Sequence, residues 1–148
     1  MTTSPVASTV HCFTYGSLMW ADIMARVCGH EFASVPATLA GHRRHPVCGE
    51  DYPGLRPATG HAVPGRLYLD VTQAAWARLD AFEGVEYERV QVQVTLADGR
   101  LRPAQVYLFC ADAAHRLLPG DWDAEAFERE GRARFIARYA GFDAVPPR

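Results

Sequence analysis

Two short stretches of this 148-residue chain carry residue types that could do chemistry: LDAFEG at 79–84 and YGSL at 15–18. Residues 72–84 read as a helix, capped by Thr72 and closed by Gly84. At 100° per residue, Trp76, Leu79 and Glu83 fall within a sector of about 60°, which Ala75 and Phe82 extend. Arg78 and Ala77 point away. Glu83 therefore lies on the apolar stripe at the helix's C-terminal end, where desolvation and the negative end of the helix dipole both disfavour its charge. A carboxyl with a raised pKa is the group wanted for general acid–base work near neutral pH. The competing reading turns Glu83 outward to water or pairs it with Arg89, and periodicity alone does not decide between the two.

The second stretch ends an apolar, β-prone run, VHCFTY (10–15), in a small polar corner. Gly16 would let backbone and ligand approach closely, and the N–H groups of Gly16, Ser17 and Leu18 would form an anion-binding concavity beside a helix start. The alternative is an ordinary strand-to-helix turn with Ser17 as its cap. Ser17 has no G-x-S-x-G surroundings and no histidine assignable to it, which argues against a serine nucleophile.

The elements that must position these residues follow from pattern. LMWADIMARVCG (18–29) reads as a helix closed by Gly29. From Ser34 to Val71, Pro36, Pro46, Pro53, Pro57 and Pro64 exclude helix and indicate short bent strands around an extended loop at 48–60. YERVQVQVTL (87–96) places Val90, Val92, Val94 and Leu96 on one face, and ADG (97–99) turns it into a second strand at 104–111. Residues 121–142 form an amphipathic helix with the stripe Ala124, Phe127, Gly131, Phe135 and Tyr139. The expected fold is α+β: one domain over 1–148, a small mixed, bent, barrel-like sheet flanked by helices, with 1–9 and 143–148 flexible.

Composition narrows the function classes. The net charge of −2 gives no electrostatic case for nucleic acid or a membrane surface, and HRRH (42–45) reads as a solvated strand or loop. Four widely spaced cysteines without a C-x-x-C pair, no secretory leader and no long apolar run indicate a cytoplasmic protein with free thiols. Six scattered histidines offer no metal-ligand spacing, so no metal is expected.

YGSL (15–18) after an N-terminal strand, followed by LDAFEGVEYERV (79–90), resembles the gamma-glutamylcyclotransferase-like superfamily, in its gamma-glutamylamine cyclotransferase and plant avirulence-induced-protein branch. GHRR (41–44), YPGLRP (52–57), VPGRLY (63–68) and VYLF (106–109) extend the similarity in the same order. The resemblance implies a small barrel with a cavity at one side, a turn at Tyr15-Gly16-Ser17-Leu18 that holds the α-carboxylate and amine end of a γ-glutamyl group, and Glu83 as the acid–base residue. It implies release of 5-oxoproline by internal attack of the α-amine, chemistry that requires no cofactor. Tyr15 would wall the pocket, with Tyr52, Tyr87 and Tyr107 as further lining candidates. The partner expected is a small γ-glutamyl substrate, and a homodimer is left open. The rival reading is a non-catalytic module of the same fold that binds or senses a small acid; retention of Glu83 speaks against it, because a pure anion binder gains nothing from a second buried carboxylate.

Overall fold

A computed structural model describes residues 9–138. The strands are β1 (Thr9–Thr14), β2 (Ser34–Pro46), β3 (Pro53–Thr72), β4 (Tyr87–Leu96) and β5 (Leu101–Phe109). The helices are α1 (Ala21–Cys28), α2 (Gln73–Glu83), α3 (Ala124–Ala126) and α4 (Arg132–Arg138), with 3-10 turns at Ser17–Met19 and Ala111–Arg116. The strands close into a barrel in the order β1-β3-β2-β4-β5. Neighbours are antiparallel except where β5 meets β1 in parallel, through Cys12 and Gln105, so the sheet is mixed.

Alternation along the strands builds two cores at once. On β1, β3 and β5, Phe13, Leu67 and Val106 point into the barrel. Their neighbours Cys12, Tyr68 and Tyr107 point out, into a second core shared with Ile23, Trp76, Leu79, Phe127 and Phe135. That second core packs α1, α2 and the terminal helical segment onto the barrel.

The β2–β3 region differs from the sequence expectation. Residues 53–60, expected within a loop, begin the 20-residue β3, which pairs with β2 along almost its whole length. Prolines survive there because a proline whose nitrogen faces away from the ladder removes no hydrogen bond. A register shift between Ala40 and His42, at Gly41, gives the pair its bend. The β4–β5 hairpin turns at 97–99 as expected, with Gly99 N–H donating to the Leu96 carbonyl at 2.9 Å.

The helices differ at their ends. The expected helix 18–29 is two pieces: the 3-10 turn at 17–19, then extended Trp20 (φ −80°, ψ 119°), then α1, which ends at left-handed Gly29. The expected helix 121–142 starts at Ala124, where Asp123 accepts from Ala126 N–H at 3.0 Å, and passes through a π-helical stretch at Phe127–Gly131. Its stripe repeats every fourth residue, which drifts about 40° per step on an α-helix. The wider π turn brings Phe127, Gly131 and Phe135 back to one buried side. Tyr139 and the rest of that expected helix, like most of the two expected flexible ends, lie outside the described residues. No helix among the described residues is long and apolar enough to cross a membrane.

Candidate functional site

A cavity of about 70 Å³ opens at one end of the barrel, where the two cores meet. By the same measure this is several times the room one water needs. Every residue singled out from the sequence lines it: Tyr15, Gly16, Ser17, Leu18, Tyr52, Glu83, Tyr87 and Tyr107. Phe13, Thr14, Pro53, Phe82 and Phe135 complete the lining. Phe82 and Phe135 were visible as members of apolar stripes. Pro53 gave no signal, because it meets Gly16, far from it along the chain, only in the folded protein.

One wall is the 15–18 turn, and its acceptors are fixed from behind. The Tyr15 carbonyl accepts from Arg44 Nη1 at 2.9 Å. The Leu18 and Met19 carbonyls accept from the Tyr68 hydroxyl at 2.8 and 3.3 Å. Met19 N–H closes the turn on the Gly16 carbonyl at 2.9 Å. The N–H groups of Gly16, Ser17 and Leu18 find no partner among the described residues, so they are the donors left for a ligand. Trp20 separates this turn from α1, so the helix start beside the concavity is that of the 3-10 turn at 17–19. Gly16 is also required for a different reason than expected. A Cβ there would come within 2.7 Å of Pro53 Cγ and Cδ, so the packing of the proline itself requires glycine, which still lines the cavity.

Arg44 corrects the reading of HRRH as solvated. It is 7% exposed, donates Nε to Asp121 Oδ1 at 2.9 Å and stacks at 5.4 Å over Trp122. A charged residue in a β-strand next to two histidines carried no sign of this, since its partners lie at 15 and 121–122.

The opposite wall holds Glu83, the last residue of α2. Thr72 caps that helix at its start and Gly84 closes it, as expected from the sequence. Ala75, Trp76 and Leu79 are buried, and Glu83 projects into the cavity lining one turn beyond Leu79. It makes no hydrogen bond or ion pair among the described residues. Arg89, the alternative partner, instead pairs with Asp80 at 3.2 Å. Burial, and then the nearby charge of Asp80, push the Glu83 carboxyl up to about 8.

The tyrosines around it are neutral and committed. Tyr15 donates to the Tyr107 carbonyl at 2.7 Å, Tyr87 to the Pro53 carbonyl at 2.8 Å, and Tyr107 to Asp80 Oδ1 at 2.6 Å. Burial raises all three phenols well above their ordinary range. With their protons directed elsewhere, their oxygens offer only lone pairs to a ligand. The cavity lining thus brings together the backbone of the 16–18 turn, the Glu83 carboxyl and phenolic oxygens. Glu83 is the lining group that changes protonation near neutral pH. The four thiols are unbridged, and burial raises Cys12 and Cys28 far above reactive values.

Glu83 and the 15–18 turn thus share one cavity on a barrel closed by five strands. Residues 12–124 match the family described as gamma-glutamyl cyclotransferase, AIG2-like. AIG2-like protein D of Arabidopsis thaliana is 34% identical over 137 residues, covering 89% of this chain and 90% of its own. AIG2-like protein A of the same plant is 31% identical over 127 residues, covering 86% and 77%. A solution structure of an Arabidopsis thaliana protein superposes with a TM-score of 0.70 at 28% identity, covering 95% and 96%. A structure titled gamma-glutamyl cyclotransferase gives a TM-score of 0.62 at 14% identity, over 95% and 89%, a likeness of fold. The chain belongs to the AIG2-like gamma-glutamyl cyclotransferase family.

Proposed function

We propose that this protein is a gamma-glutamylcyclotransferase, converting a γ-glutamyl amine or amino acid to 5-oxoproline and the free amine. The observation that carries this reading is the unpaired Glu83 carboxyl sharing a small cavity with the free N–H groups of residues 16–18.

The α-carboxylate of the substrate would take the backbone donors, leaving its α-ammonium toward Glu83 and the phenolic oxygens. About one Glu83 in ten is ionised at pH 7 in the empty cavity, given a value near 8. An arriving ammonium favours the carboxylate form, and burial keeps the proton affinity of Glu83 nearer to that of an amine than an ordinary carboxylate's. Glu83 takes a proton from the ammonium, and the freed nitrogen attacks the γ-carbonyl carbon. As the C–N bond to the leaving group breaks, two protons have passed from the attacking to the leaving nitrogen, one carried by Glu83. The attacking nitrogen keeps one proton as the ring N–H of 5-oxoproline, and the leaving group departs as an ammonium. Holding the chain folded on itself supplies several kcal/mol of barrier lowering.

The test is incubation with a panel of γ-glutamyl amines, γ-glutamyl amino acids and ε-lysyl isopeptides, with 5-oxoproline measured. Release from one of them, lost in Glu83→Gln, supports the reading. Tight binding of one without release assigns the cavity to a small-acid binding module instead.

A further inference from the structure

Asp80 lies three residues before Glu83 on α2, one turn back along the same helix, and does not line the cavity. Both its oxygens are engaged from other elements. Oδ1 accepts from the Tyr107 hydroxyl of β5 at 2.6 Å, and Oδ2 faces Arg89 of β4 at 3.2 Å. The Arg89 guanidinium is itself fixed at 4.6 Å over the ring of Trp76, on α2. A carboxylate held from two other elements so near an unpaired acid is a fixed charge, with a cation set to offset part of it.

We propose that Asp80, clamped by Tyr107 and Arg89, is a positioning residue whose negative charge sets the pH at which Glu83 becomes a base, and that Arg89 sets how much of that charge Glu83 feels. This deepens the reading of Glu83 as the proton acceptor and rests on it only for the consequence in turnover; the coupling belongs to the unliganded chain. The other groups facing Glu83 do not compete for the role. Tyr15, Tyr87 and Tyr107 are neutral phenols, Cys12 a neutral thiol, and Phe135 of α4 apolar. Glu86, just beyond α2, is tied to Arg116 at 2.6 Å. The influence of Asp80 on the Glu83 carboxyl, second only to burial, has the sign this requires.

Removing either member of the pair moves Glu83 in opposite directions. Asp80→Asn deletes the like charge, so Glu83 ionises at lower pH. Arg89→Gln leaves Asp80 uncompensated, so Glu83 ionises at higher pH. The carboxyl carbon of Glu83, in protein labelled with carbon-13 glutamate and assigned with Glu83→Gln, is titrated by NMR at low ionic strength, where exposed charges are least screened. The parent midpoint should lie near 8, with shifts of about one pH unit down in Asp80→Asn and up in Arg89→Gln, and Arg89→Lys close to the parent. An unmoved midpoint in Asp80→Asn, or shifts of the same sign in the two variants, overturns the proposal. Should Asp80→Asn fail to fold, Arg89→Gln decides alone, and a midpoint at or below the parent's overturns it. The acid limb of kcat/KM for 5-oxoproline release should follow the same two directions. Opposite midpoint shifts in a parent that releases no 5-oxoproline would keep the coupling and remove the catalytic reading.

Discussion

The two walls of the cavity are built on opposite principles. The 15–18 turn has every carbonyl tied down: Tyr15 by Arg44, Gly16 by Met19, Ser17 by Trp20 and Leu18 by Tyr68. The N–H groups of Gly16, Ser17 and Leu18 have no partner among the described residues. The Glu83 wall keeps its half-buried carboxyl without a protein partner among the described residues, at the end of a helix and in a lining rich in aromatic rings. The first wall invests stability in geometry, and the second gives up stability for a proton affinity near neutral pH.

The largest expected break of that contrast is Glu83→Gln. Turnover should fall by about 10²–10⁴-fold, the usual contribution of one general base, while ligand binding persists through the untouched turn. Stability should move the other way. Glu83 binds its proton more tightly folded than unfolded, so its contribution is fully present below its ordinary value of 4.5 and is lost as the pH rises to about 8. Glutamine does not titrate, so urea denaturation should show the variant gaining on the parent across that window and level above it. A variant that loses stability with unchanged turnover would make Glu83 structural.

Arg44→Met attacks the other wall. It removes the charged donor to the Tyr15 carbonyl and leaves that acceptor buried, at a cost of about 1.5–3 kcal/mol in denaturant unfolding. Here KM should rise more than kcat falls, the reverse of the Glu83 pattern. Gly16→Ala is expected to cost about 1–3 kcal/mol, because its methyl strikes Pro53 at 2.7 Å. Ligand affinity, measured by calorimetry on the folded fraction, should fall with it as the turn is displaced. An alanine variant of parental stability would show that Pro53 yields freely. The smallest effect belongs to Tyr68→Phe, which removes one neutral hydrogen bond to the Leu18 carbonyl, worth about 1 kcal/mol. It should loosen ligand binding with no change in the pH dependence of turnover. A shifted acid limb there would mean that the two walls are coupled.

The sequence by itself determined what local periodicity and backbone chemistry can encode. The caps at Thr72 and Gly84, the alternation of β4, the turn at 97–99 and the stripe that carries Glu83 are all properties of a few neighbouring residues. The chemistry-bearing residues were legible for the same reason, since a glutamate on an apolar face and a Gly-Ser corner after a strand are short-range anomalies. What depended on partners far along the chain was not legible. Arg44 became a buried anchor only because Tyr15 lies 29 residues before it and Asp121 77 after. Gly16 owes its missing side chain to Pro53, and the length of β3 to its pairing with β2 around the bend at Gly41. The charge around Glu83 was likewise settled by tertiary contacts, since the β4–β5 register places Arg89 beside Tyr107 and both meet Asp80 of α2, while Glu83 has no partner among the described residues. A residue's own type and spacing fix which side it faces, but only the folded chain decides which group it meets there, and that meeting sets a pKa.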